Sequence, residues 1–431
     1  MFDVRAARAQ FPALDLTLED GQPCTFLDNP AGTQVPRRVI DAVSGYYTHA
    51  NANTDGAFLT SRRTDETIEA ARVAMADLLG APDPSCIVFG PNMTTLTFAF
   101  ARSIARELTP GDEIVCTTLD HDANVAPWLA LQEERGVRVV FADIDPADGT
   151  LDLADLARKI GPRTRVVAFT YCSNALGSVT DAAHITRLAH EAGALSWIDA
   201  VQYAPHGPID VAALDCDFLA CSSYKFFGPH IGIVYGKREH LDRLHPYKVR
   251  PSKDVAPYRW ETGTQNHECL AGVTAAVDYL ADLSLGDEPS TPTPAATASR
   301  RDRLLAAMAR VQAYERTLAE RLIGGLTEID GTRIYGLIDP ARFASRVPTV
   351  ACTIDGHSPD DLATRLGKAG IFAWSGNYYA LAVMERLGLQ ERGGALRIGP
   401  VHYNTVEEID RTLDVLRTAV ETRPRAHAVS V

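Results

Sequence analysis

The sequence predicts an α/β fold: a mainly parallel central sheet in a large domain, followed by a small C-terminal α+β domain. Three observations predict it. Short, almost uninterrupted apolar runs alternate with stretches of helical period over the first two-thirds of the chain. A segment rich in Pro, Thr, Ser and Ala then breaks that rhythm at 281–300. Beyond it, one long helical pattern leads into shorter strands and helices. Near-continuous apolar strands separated by helices denote a parallel sheet covered on both faces, joined by right-handed crossovers.

In chain order, "FGPNMTTLTFAFARSIARE" runs from an apolar strand through a turn into an amphipathic helix. "EIVCTT" (113–118) leads into "DHDANVAPWLALQEERG", whose apolar residues recur at helical spacing. Then come the strand "VRVVFADI" (137–144), the helix "LADLARKI" and the strand "RVVAFTY" (165–171). "AAHITRLAHEAG" reads as a helix, and "ALSWIDA" and "CDFLACSS" as strands. After the break, "RDRLLAAMARVQAYERTLAERLIGGL" is a long helix; "VPTVACTI", "DDLATRLGKAG", "ALRIGP" and "VEEIDRTLDVLR" complete the small domain. The expected organisation is an N-terminal segment (1–25), a large domain (26–285), a linker (286–300), a small domain (301–425) and a loose tail (426–431).

A formal charge of −13 over 431 residues argues against nucleic acid or anionic membrane as a partner, because both demand concentrated Lys and Arg. Arg62-Arg63 and Arg300-Arg301 are short and read as solvated surface. The eight cysteines are scattered without a CxxC pair, and several lie in apolar runs where Cys behaves as a small buried hydrophobe. No metal site is expected. The beginning of the chain carries no apolar signal core, and no stretch reaches membrane-spanning length. A cytoplasmic enzyme is the expectation.

Candidate chemistry gathers at predicted strand ends, where ligands bind in open α/β sheets. Lys225, in "CSSYKFFGPH", follows a strand; a partly desolvated amine there can form a Schiff base with an aldehyde. Asp199 ends "LSWID", and a buried carboxylate is costly unless it meets a cation. A protonated pyridine nitrogen supplies one, and Gln202 lies three residues on to reach a phenolic oxygen. Thr94 and Thr95 open a helix, whose free N–H groups and dipole suit a phosphate. His121, in "LDHDANVAPW", can lie flat over an aromatic ring. Singly, each has a plain reading as surface lysine, helix cap or loop histidine. Other chemistries fit poorly: "HECLA" lacks the second His of a zinc protease, and no GxxxxGK[ST], GxSxG or GxGxxG occurs. Together the candidates are the parts that pyridoxal 5'-phosphate requires.

These residues carry a family likeness. Through "FLDNPAGTQVP", "HDANVAPW", "SNALGSVTD", "DAVQYAPHGPIDV", "SSYKFFGPHIGIVYGK", "ETGTQN" and "LRIGPVHYNTVEEIDRTLDVL", the chain resembles class V aminotransferase-fold, pyridoxal-phosphate-dependent enzymes. Within them it is similar to the cysteine desulfurase/selenocysteine lyase-like branch. The resemblance implies fold type I with a seven-stranded sheet, and a homodimer with its site at the interface. It implies Lys225 as the Schiff-base lysine, Asp199 and Gln202 on the ring, and His121 stacked over it. Thr94, Thr95 and Ser222 would bind phosphate, with Thr264 reaching a phosphate across the dimer. Asn174 would lie near the substrate, and Arg397 would grip its α-carboxylate.

Two departures qualify the likeness. Tyr224 stands before the lysine where desulfurases usually carry His. No cysteine occurs from 353 to 431, so the thiolate of a persulfide relay is missing near Tyr379. The reading is an enzyme that handles an amino acid through an external aldimine and quinonoid, with β-elimination by a C–S lyase as the leading outcome. A class V aminotransferase or an epimerase is the runner-up, and a non-catalytic pyridoxal-phosphate binder stands third.

Overall fold

The structure is a computed structural model that describes residues 2–284 and 298–421. The linker expected at 286–300 therefore lies outside the described residues up to 297, and the expected tail at 426–431 lies outside them entirely. Residue 300 already begins a helix, Arg300–Thr327.

Seven strands build the central sheet: β1 (Ile87–Gly90), β2 (Glu113–Thr117), β3 (Arg138–Ala142), β4 (Thr164–Thr170), β5 (Leu195–Asp199), β6 (Phe218–Ser222) and β7 (Gly232–Gly236). Their order is β1-β7-β6-β5-β4-β2-β3. All neighbours pair in parallel except β7, which is antiparallel to both β1 and β6. The link from Ser222 to Gly232 explains the reversal, for a parallel return needs a crossover of about a dozen residues or more. The run expected as one strand over 137–144 divides. Its end, Ile144–Asp145, turns out of the sheet to pair with Thr150–Leu151.

Both faces of the sheet are covered, as the unbroken apolar strands require. One face packs Phe100, Trp128, Trp197, Phe218 and Trp260 into one core. The other joins Phe89, Phe169, Phe226, Phe227 and Tyr279 in a larger one. A second sheet comprises β8 (Thr332–Tyr335), β9 (Val350–Ile354), β10 (Trp374–Gly376) and β11 (Ala395–Ile398), all antiparallel in the order β8-β9-β11-β10. A third core lies against it, with Leu318, Leu322 and Leu326 of the long helix meeting Val350, Leu396 and Leu413. Thr25–Phe26 reaches across to pair with Ile371–Phe372, and Leu27 joins that third core. No helix among the described residues is long and apolar enough to cross a membrane.

One buried ion pair ties the first strand to the segment after the central sheet. Arg72 clamps Glu261 in two parallel bonds of 2.8 and 2.6 Å, and Glu261 also accepts the Phe89 N–H at 2.9 Å. Both side chains are almost wholly enclosed. Breaking a buried pair strands the remaining charge at a cost of about 3–5 kcal/mol. Glu261→Ala is therefore expected to lower stability by about that amount, read as a fall in the urea unfolding midpoint; an unchanged midpoint would show that the pair carries no such weight.

Candidate functional site

The carboxyl ends of five parallel strands open into one cavity. Asp199 ends β5 and Ser222 ends β6; Lys225 follows in a single turn, Ser223–Lys225. His121 follows β2, Asn174 follows β4, and the helix Met93–Ile104 begins just after β1. The inner end of the cavity is lined by Thr94, His121, Asp199, Gln202, Ser222 and Lys225. Arg397 reaches its outer part from β11 of the second sheet. The site thus lies between the two sheets.

The helix start forms a cradle. Asn92 caps it by accepting the Thr95 N–H at 2.8 Å, and the Met93 N–H donates to Ser222 Oγ at 3.2 Å. Gly232 makes this approach possible, since a Cβ there would lie 2.2 Å from the Asn92 carbonyl carbon. Thr94 lines the cavity, whereas Thr95 is exposed and lies outside its lining. Thr264 is not at the cavity either; it lines a separate groove with Arg72, Lys253 and Glu261.

Electrostatics single out the lysine. Burial, with Arg397 adding its repulsion, brings the Lys225 amine down to about 7 against the pull of Asp28 and Asp199. Its Nζ donates to the Pro30 carbonyl and lies 5.0 Å from the Tyr224 ring centroid. Burial lifts Asp199 to about 6, opposed by a 2.9 Å bond from the Val201 N–H and by Lys225. Near neutral pH the two shifts favour an ionised Asp199 and make the uncharged Lys225 amine accessible. Burial and the two nearby cations bring His121 down to about 4, so its ring is neutral. Its Nδ1 accepts the Ala123 N–H at 3.0 Å.

Arg397 donates to the Asn174 carbonyl and to Asp28, both at 3.1 Å, and its guanidinium lies 4.4 Å from the Tyr378 ring centroid. Its Nε and the Asn174 Oδ1 are buried without a partner. Gln202 donates to Thr349 Oγ1 at 3.1 Å and lies 3.3 Å from His206 Nε2; His206 in turn meets Glu315 at 2.7 Å. Sequence reasoning gave no role to Asp28, Asp120 or Tyr378. Asp28 was visible within "LDNPAGT" as a carboxylate after an apolar pair. Asp120 precedes His121 and is pushed up to about 8, mainly by burial. Tyr378 offered no signal.

The side chains suit pyridoxal phosphate by their chemistry. A helix start with a hydroxyl cradle faces an anion, a buried carboxylate wants a cation, a neutral imidazole can cover a ring, and a desolvated amine awaits an aldehyde. Only the uncharged amine attacks an aldehyde. Mixed with pyridoxal phosphate, cofactor-free protein is expected to develop imine absorbance at a rate that rises through about pH 7, set by the lowered Lys225 value. Arg397→Gln removes a cation that disfavours the ammonium, so the midpoint should move upward. A wild-type midpoint near the ordinary lysine value of about 10.4 would contradict this assignment.

The profile of the aminotransferase class-V family matches residues 25–290 and 303–412. A probable cysteine desulfurase of Mycolicibacterium paratuberculosis is 34% identical over 98% of this chain and 59% of its own length. One of Streptomyces coelicolor is 31% identical over 96% of this chain and 97% of its own. The chain spans 59%, 63% and 66% of the length of three of the relatives it matches. The crystal structure of the cysteine desulfurase CsdA from Escherichia coli superposes with a TM-score of 0.82 at 29% identity, covering 98% of this chain and 99% of that one. The chain belongs to the aminotransferase class-V family, enzymes that depend on pyridoxal phosphate.

Proposed function

We propose that this protein is a pyridoxal-phosphate-dependent C–S lyase that eliminates sulfur from a cysteine-like amino acid without a persulfide-forming thiol of its own. The observation that carries the reading is the cavity shared by the desolvated amine of Lys225, the carboxylate of Asp199 and the guanidinium of Arg397. In this reading Asp199, Gln202 and His121 hold the cofactor ring, and Thr94 and Ser222 with the helix start hold its phosphate. Thr95 supports that helix start through its capped N–H, and Thr264 serves a partner copy in a homodimer. Bound there, the cofactor supplies an electron sink for the pair left on the substrate Cα.

Arg397 orients the substrate by its carboxylate, with Asn174 beside it. Lys225 Nζ takes the proton from Cα, which its uncharged form, made accessible near neutral pH by burial, permits. Asp199, ionised, keeps the positive charge at the ring nitrogen that makes the sink effective. The sulfur leaves with the bonding pair and is protonated; water then completes the conversion of the remaining fragment to pyruvate and ammonium.

The cysteines favour direct elimination. Cys172 is the one cysteine that lines the cavity, and it is fully buried, with burial pushing its thiol well up. Its Sγ lies 3.5 Å from the Gly177 carbonyl. A thiol so held is a poor thiolate and a poor sulfur acceptor.

The purified, cofactor-loaded protein incubated with L-cysteine is expected to release sulfide and pyruvate in equal amounts. Cys172→Ser and Cys269→Ser should retain that release; its loss in either would return the reaction to a persulfide route. Keto acid or racemised amino acid without sulfide would favour the aminotransferase or epimerase reading. Lys225→Ala is expected to lower turnover by at least about 10²-fold with an unchanged circular dichroism spectrum, and retained turnover would remove Lys225 from its role.

A further inference from the structure

The outer chamber of the cavity encloses about 850 Å³ and shares Thr94, His121, Asn174, Tyr224 and Lys225 with the inner end, so the cofactor and the amino-acid part of a substrate would take up part of it. Its volume lies within the ~300–1,000 Å³ range of pockets that bury drug-sized ligands.

The wall of the chamber is aromatic. Phe98, Tyr224, Trp374, Tyr378 and Tyr379 line it, and Trp374 and Tyr379 are 54% and 74% exposed. The wall is also held in a fixed shape. Tyr378 and Tyr379 both adopt φ of +56°, a left-handed conformation that is costly for a bulky residue and concentrates at ligand clamps. Asn174 holds the Tyr378 carbonyl at 2.9 Å, and the Asp122 N–H holds that of Tyr379 at 2.7 Å. The adjoining turn is packed so closely that a Cβ on Gly394 would lie 2.0 Å from the Gly376 carbonyl oxygen. The Tyr379 ring lies over His121, centroids 5.7 Å apart at 27°.

Charge narrows the occupant further. Besides Lys225 and Arg397, Asp122 is the one charged side chain of this chain lining the chamber among the described residues. His121 is neutral at physiological pH. Among its described residues this chain offers the chamber no further cation for a second carboxylate, as a peptide conjugate or a disulfide-linked second amino acid would need, and Asp122 repels one.

We propose that the substrate is an S-substituted cysteine, a thioether whose sulfur bears an uncharged aromatic or alkyl group lodged against Trp374 and Tyr379. The inference rests on the C–S lyase reading above and narrows it. The Cα–H bond gives its proton to Lys225, and the Cβ–S bond breaks with its electron pair on sulfur. The thiolate takes a proton and leaves as a thiol; one water converts the remainder to pyruvate and ammonium. No external oxidant or reductant enters.

The test compares S-benzyl-L-cysteine, S-methyl-L-cysteine, S-carboxymethyl-L-cysteine and free L-cysteine on the cofactor-loaded protein, scoring thiol and pyruvate. The expected result is a kcat/KM for the benzyl compound at least about tenfold above each of the others. Tyr379→Asn, which keeps the left-handed conformation accessible, should shrink the benzyl-to-methyl ratio by about tenfold. A reading independent of turnover is available: N-acetyl-S-benzyl-L-cysteine, with its amine blocked, should quench Trp374 fluorescence in wild type and not in Trp374→Phe. Cleavage of free cysteine with the benzyl compound inert would overturn this substrate class and leave the C–S lyase reading standing. Keto acid from every compound with no thiol released would overturn both.

Discussion

Everything at this site depends on keeping one lysine amine out of water. An exposed lysine is an ammonium at neutral pH, neither nucleophile nor base. Here burial and the guanidinium of Arg397 oppose its charge, while Asp28 and Asp199 restrain the shift, and the amine settles near neutrality at about 7. In the proposed reading, solvating that amine would leave it an ammonium, and removing the acids would weaken its hold on a proton. The same burial acts in the opposite sense on Asp199, lifting it to about 6. The two groups thus approach each other from opposite ends of the scale.

The fold supplies that burial by bringing two sheets together. The central sheet delivers Asp199, Ser222 and Lys225 from adjacent strand ends, and the second sheet delivers Arg397 from the far side. Asp28 and Asn29 fasten the join. Asp28 meets Arg397 at 3.1 Å, while Asn29 donates to the Gly399 carbonyl at 2.7 Å. A second connection runs deeper, from Gln202 through His206 to Glu315 on the long helix. Glu315 is fully enclosed, and burial raises it against the opposing pull of His206. A buried pair of this kind is weak evidence for stability, but it restricts the positions its neighbours can take.

Substitutions relative to the cysteine desulfurase pattern are consistent with one another. Tyr224, where the resemblance would place a histidine, sets its phenol ring beside the amine and stacks on the exposed His230 at 5.0 Å. Near Tyr379, where the resemblance would place a thiolate, residues 374–379 hold aromatic rings at the mouth of the cavity, with Tyr378 and Tyr379 in left-handed backbone.

The sequence by itself determined the layers and most of the inner site. Strands buried on both faces must be apolar throughout, so "EIVCTT", "RVVAFTY" and "CDFLACSS" could be read directly. Polar residues just beyond such runs then stand out, which is how Asp199, Lys225, His121 and Asn174 were legible, and the cavity gathers all four. Thr95 was read from its place at a helix start, but neighbouring helical residues point in different directions, and Thr94 alone faces the cavity. The tertiary structure decided what depends on distant partners. Asp28 and Arg397 are separated by 369 residues, and no periodicity announces such a pair. The left-handed backbone at Tyr378 and Tyr379 follows from carbonyl contacts made by Asn174 and Asp122, not from any preference of tyrosine. The depth of burial around Lys225, and hence its chemistry, is a property of two sheets meeting, which no local stretch encodes.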